Sequence, residues 1–196
     1  DKVERRYRWA KRASFAAVFL AAIGMGTVWG RSYISNTQML KNTQDGIAQY
    51  REQAAHILPG PVGDTDLISI LPALNTLRDL PNNPTVHQVS RPAGSGWGLY
   101  QGRVIGNEER LTYRSALNTH YLPRLLLRLE NQMQASINNP DLLYETLKVY
   151  LTLGRVGPLN TDLVRNWMQE DWAAAFPDAS REQLRPDLTE NLVALM

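Results

Sequence analysis

The residues able to act as ligands, nucleophiles or acids are few and scattered. The three histidines, His56, His87 and His120, stand far apart, and none falls beside another ligand type at metal-binding spacing. The loop Gly94-Ser95-Gly96-Trp97-Gly98 has glycines of the kind that cradle phosphate. It has no following Lys-Ser or Lys-Thr and no preceding strand, so it is neither a P-loop nor a dinucleotide fingerprint. Ala93 stands where the nucleophile elbow G-x-S-x-G needs its first glycine. The expectation is a turn around a packed Trp97. Glu108-Glu109 and Glu170-Asp171 are adjacent acids, which leave a helix in different directions and cannot pair as hydrolase carboxylates do. Cysteine is absent, which removes disulfide and thiol chemistry without choosing a compartment. No catalytic residue, cofactor or metal is expected, and no enzyme activity.

The elements that would hold these residues begin with residues 13–30, ASFAAVFLAAIGMGTVWG. They carry no charged side chain, although the chain is 20% charged with a mean hydropathy of −0.34. As a helix the stretch spans roughly 27 Å, close to the roughly 30 Å hydrocarbon core of a bilayer. Before it stand Lys2, Arg5, Arg6, Arg8, Lys11 and Arg12; from 31 to 53 the only basic residues are Arg31, Lys41 and Arg51. By the positive-inside rule the amino end is cytoplasmic and the remainder lies outside the inner membrane. Trp9 on one side, and Trp29 with Tyr33 on the other, are spaced for the two interfaces, and Arg31 can snorkel outward. A cleaved signal peptide, with Gly24-Met25-Gly26 as its site, and a buried helix of a soluble core are the rival readings. Asp1 and Glu4 in the head and the absence of an initiator Met count against the first.

The span is modest. Phe15, Val18, Phe19, Leu20, Ile23 and Val28 are its strong contributors, giving an insertion energy on the order of 2 to 4 kcal/mol. Ala22, Gly26 and Gly30 recur every four residues and form a smooth face, which is either a packing seam against another span or the ordinary small-residue content of membrane helices. With 43% hydrophobic residues the remaining chain can bury a core. A net charge of +2, with no long basic stripe beyond the first dozen residues, argues against a nucleic-acid partner. The chain opens on Asp1 rather than Met and closes on Met196 after an apolar run, which reads as an excerpt of a longer polypeptide.

Beyond the span the pattern is helical. Ile34, Leu40, Ile47, Tyr50, Ala54 and Leu58 suggest a stalk that continues the membrane helix and stops at Pro59-Gly60-Pro61. Asp64 or Asp66 can cap a second helix carrying Ile68, Leu71, Leu74, Leu77 and Leu80, with Pro72 tolerable in its first turn. Residues 81–106 read as a long loop. Asn107 can cap a helix running toward Ile137, kinked at Pro123. Asn139-Pro140-Asp141 restarts a helix that ends at Gly154; another runs from about Thr161 to Ala175, and Ser180 to Gln183 forms an S-x-x-Q capping box for a last one. Apolar residues crowd LLYETLKVYLTLG too widely for a single stripe, which predicts a central helix buried on more than one side. Leu163, Trp167 and Met168 share a face of the next helix, and Trp172 with Phe176 continues an aromatic edge, as core or as a subunit interface. The chain is expected to be all-α: one transmembrane helix followed by an extracytoplasmic multi-helix bundle. Its divisions are a cytoplasmic juxtamembrane segment (1–12), the span (13–31), a helical stalk (32–58) and a periplasmic helical domain (59–196).

The phrases LPALNTLRDLP, GLYQG, LPRLLLRLE, LLYETLKVYLTLG, GPLNTDLVRNWM and DWAAAFP, in this order after a membrane span, resemble the IcmF-related (TssM) family of inner-membrane proteins of type VI secretion systems. The resemblance runs across nearly the whole chain from the stalk onward. It implies that residues 1–12 end a cytoplasmic region, that 13–30 form the third membrane span, and that the rest is the membrane-proximal helical part of a periplasmic arm. It also implies a structural role in a trans-envelope complex: copies of the protein in a ring, TssL in the inner membrane, and the outer-membrane lipoprotein TssJ, whose contacts lie mainly beyond Met196. The family's cytoplasmic P-loop is not among these residues. The competing class is an extracytoplasmic sensor domain of a membrane receptor, which would carry a ligand pocket and return to the membrane; an envelope hydrolase lacks any supporting acid pair or nucleophile.

Overall fold

The computed structural model describes residues 2–57, 64–85, 100–177 and 184–196, with side chains from residue 6 onward. Among them there are helices and no strands. No proline occurs before Pro59, and the first helix runs unbroken: α1 spans Lys2–His56, 55 residues and about 82 Å at 1.5 Å per residue. In its first half the described side chains are exposed, while its second half lies along the body formed by the remaining helices. The contact face is Ser32, Asn36, Met39, Thr43, Gly46, Tyr50, Gln53 and Ile57, positions alternately four and three apart. Of the apolar stripe expected of the stalk, Ile47, Tyr50 and Ala54 are half-buried, Ile34 and Leu40 are exposed, and Leu58 lies outside the described residues. A seam that mixes small and polar residues with apolar ones blurs the hydrophobic period.

Helix α2 (Leu71–Arg78) is shorter than expected. Asp66 does act as a cap, but of a turn, accepting from the N–H groups of Ile68 at 2.9 Å and Ser69 at 3.2 Å. Pro72 falls in the first turn of α2, where its missing N–H costs nothing. Leu67, Ile70, Leu71, Leu74, Leu77 and Leu80 are all buried. Helix α3 (Gly102–Ala116) starts five residues ahead of Asn107, which is therefore an interior helical residue that accepts from Arg110 Nη2 at 2.9 Å. A π-helical turn, Leu117–Tyr121, joins α3 to α4 (Leu122–Ala135). The expected distortion at Pro123 thus lies just upstream of it. Pro123 has no N–H to give the carbonyl four residues back, and the widened turn, in which the Leu122 N–H reaches the Leu117 carbonyl, accommodates that.

Helix α5 (Pro140–Leu153) and α6 (Thr161–Ala175) match the sequence expectation closely. Asn139 and Asn160 each accept from the N–H three residues on, at 3.3 and 3.0 Å. Past Gly154, Arg155 takes a left-handed φ of 61° and the Val156 N–H returns to the Leu151 carbonyl at 2.9 Å, closing α5. Helix α7 (Leu184–Leu195) completes the body; the proposed capping box at 180–183, Pro59-Gly60-Pro61 and Trp97 lie outside the described residues.

A further expectation fails. Helix α5 is peripheral, not central: it buries Thr146, Val149, Thr152 and Leu153 against α4 and α6 and leaves Leu142, Tyr144, Leu147 and Leu151 exposed. An all-round apolar helix needs neighbours on two sides, and among the described elements α5 has them on one. The core is instead drawn mainly from α2, α3, the π turn, α4, α6 and α7, and Trp172, Tyr113 and Tyr121 are its largest fully buried side chains.

Candidate membrane and docking surfaces

The apolar stretch of α1 is long enough to cross a membrane, and none of its apolar window is buried by the rest of the chain. Phe15, Val18, Phe19 and Leu20 are each about two-thirds exposed, at 68%, 68%, 66% and 67%. At ordinary transfer values such a surface is unfavourable in water. The hydroxyls at its two ends are satisfied locally: Ser14 Oγ donates to the Ala10 carbonyl at 2.9 Å and Thr27 Oγ1 to the Gly24 carbonyl at 2.8 Å. Neither hydroxyl is left to pay a desolvation penalty in hydrocarbon. The rings at the two ends, Trp9, Trp29 and Tyr33, are exposed, as is Arg31. Ala22 is exposed, and a Cβ placed on Gly26 or Gly30 would meet nothing within 4 Å, so the small-residue face is open.

The second surface is the seam between α1 and the body. Glu109 of α3, 2% exposed, accepts from Thr43 Oγ1 at 2.6 Å and, through its other oxygen, from the Asn82 backbone N–H at 2.8 Å. Thr76 Oγ1 donates to Gln53 Oε1 at 2.8 Å. Two glycines permit these approaches. A Cβ on Gly46 would lie 2.5 Å from Leu80 Cδ2, and one on Gly106 would lie 2.2 Å from the Asn82 carbonyl oxygen. On the far side of α2, Arg78 bonds Asp79, Asp187 and Glu190, at 2.8, 3.0 and 2.9 Å. Burial alone would lower its pKa; the bonds to Asp79 and Asp187 more than offset this, so it stays charged. These partners lie up to 112 residues from Arg78, a separation that leaves no local signal in the sequence.

The candidate aromatic residues divide. Trp172 is fully buried core; Trp167 and Phe176 are half-buried and pack against that core. Trp167 Nε1 donates to Gln132 Oε1 at 3.2 Å, and Gln132 with Arg128 engages Asp171. Glu108 points outward while Glu109 points into the seam, and Glu170 is exposed beside the engaged Asp171. Among the described residues no three His, Asp or Glu side chains gather to hold a metal. His120 sits half-buried in the π turn, where burial first and the Arg124 charge second hold its pKa below 6.5.

The whole helical body after α1, residues 71–196, matches the family model described as IcmF-related: intracellular multiplication and human macrophage-killing. The chain belongs to the IcmF-related family. Over all 196 of its residues, α1 included, this IcmF-related chain is also 31% identical to the "Type VI secretion system component TssM1" of Pseudomonas aeruginosa PAO1. It spans only 17% of that relative's length. No solved structure matches the chain.

Proposed function

We propose that this chain is the membrane anchor and first helical section of a type VI secretion membrane component, with a structural rather than an enzymatic role. The observation that carries this is the continuity of α1. One helix holds an uncovered apolar stretch at one end and, without a break, becomes the packed edge of the family-matched body. A single rigid element therefore fixes the body's distance from the bilayer. In this reading residues 1–12 are cytoplasmic, 13–31 cross the inner membrane, and 32–196 form a stalk and helical domain in the periplasm. The basic flank supports that orientation. The partners are further copies of the protein in a ring, TssL in the membrane, the lipoprotein TssJ through more distant parts of the protein, and the bilayer itself.

The chain contains no cysteine, so single-cysteine labelling in an otherwise cysteine-free protein tests the topology. A membrane-impermeant maleimide applied from the periplasmic side is expected to label Gln38→Cys in intact inner membranes, and Tyr7→Cys only after lysis. Labelling of both without lysis, or of neither after it, overturns the reading. Failure of the solubilised protein to co-purify TssL would remove that partner.

A further inference from the structure

Helix α1 does not end where the uncharged stretch ends. It continues back from Ala13 to Lys2, so the basic residues of this segment are held at fixed heights and on fixed sides. Arg12 adjoins the first uncharged residue, Lys11 follows, and Arg8 is about 6 Å further out at 1.5 Å per residue. The headgroup layer on each side of the hydrocarbon is roughly 5 to 8 Å deep. Arg8, Lys11 and Arg12 therefore fall within it, whereas Lys2 lies about 15 Å out, beyond a Debye length of about 8 Å at physiological salt.

The three also share a side. Arg8 and Arg12 are one turn apart, with Lys11 beside them, and the i−3 position to Arg8 is a further arginine, Arg5. Arg8, Lys11 and Arg12 are exposed, and the column is bordered by the rings of Tyr7 and Trp9, 74% and 65% exposed. The guanidinium fork of Arg12, the ammonium of Lys11 beside it, the charge of Arg8 one helical turn further out and an indole at interface depth match phosphodiester oxygens presented in a plane. They do not match a choline-bearing headgroup, whose own cation offsets its phosphate.

We infer that Arg8, Lys11 and Arg12, with Trp9, form a recognition site for anionic phospholipid headgroups in the leaflet at the amino end of α1. The site gathers phosphatidylglycerol-type lipids, or one diphosphate lipid, onto one side of the span. This rests on the membrane-span reading above and adds a lipid preference to it.

The test uses the full-length protein reconstituted into vesicles of equal parts phosphatidylcholine and phosphatidylglycerol, re-extracted, with retained lipid quantified by mass spectrometry. Retained phosphatidylglycerol is expected to exceed its share of the vesicle. The excess should fall by about fivefold for each charge removed at low salt, through Arg8→Gln, Lys11→Gln and Arg12→Gln. Arg31→Gln, at the opposite end of the span, should leave it unchanged. Retention in proportion to the mixture, or equal enrichment by the triple variant, overturns the site. Loss of enrichment on adding excess inorganic phosphate identifies a free-anion site and also overturns it. Resistance to carbonate extraction, read on the same samples, separates the two ideas: inserted protein without enrichment sinks only the lipid site, and protein that never inserts sinks the span and the site together.

Discussion

The body packs Trp172, Tyr113, Tyr121, Leu125, Leu129, Val164, Met168 and Leu188 with no exposed area. The face that α1 turns to the same body carries Ser32, Asn36, Thr43, Gly46 and Gln53, with Met39, Tyr50 and Ile57 as its large apolar members. The first surface gains from burial that is non-directional and worth about 1.5 to 3 kcal/mol per large side chain. The second gains from hydrogen bonds worth about 0.5 to 1.5 kcal/mol net each. These are directional, and they hold only in one register. The core thus makes the body stable, and the seam decides where along that body the long apolar helix sits.

The core is most sensitive at Trp172, its largest fully buried side chain. Trp172→Ala should cost about 3 to 5 kcal/mol, read as a lowered denaturation midpoint of the whole helical signal in detergent. A loss under about 1 kcal/mol would mean that Trp172 is not a principal core residue. At the seam, Glu109→Ala strips the acceptor from the Asn82 N–H and the Thr43 hydroxyl, and should cost about 2 to 3 kcal/mol. Its signature should be local: faster hydrogen exchange in residues 32–56 than around Trp172. Uniform acceleration through both regions would erase the distinction drawn between them. Thr43→Val, which removes only one of these bonds, should cost about 1 kcal/mol with the same local pattern.

The smallest effect is one of pH. His120 has its pKa lowered in the fold, by burial and then by Arg124, so the unfolded chain takes up a proton more readily than the folded one. Stability should be level above about pH 6.5 and fall as pH drops through that value, until the folded pKa is passed. His120→Gln should flatten the decline, and an unchanged slope would show that other groups cause it.

The fold was legible wherever a helix begins with its own chemistry. Asn139-Pro140-Asp141 states a start outright, and the chain obeys. The long apolar helix was legible because residues 13–30 carry no charge and hold no proline. The start of α3 was not, since Gln101 and Gly102 carry no capping signal and Asn107 offered a misleading one. The role of α5 was misread because apolar content reveals how much surface a helix would bury, not how many neighbours it has. The seam was invisible for a different reason. Thr43, Asn82 and Glu109 are ordinary polar residues until the fold joins positions 66 and 27 apart. No spacing rule reaches that far.

The unbroken length of α1 also sets a bearing. Cationic column, span and seam lie on one helix, so they share a single angular phase. One residue inserted near Tyr33 would turn the membrane end by about 100° and displace it by about 1.5 Å relative to the body. Seven would return it to within about 20°. Whatever gathers on the arginine column therefore meets it at a fixed azimuth beneath the helical body, as a compass needle keeps its north.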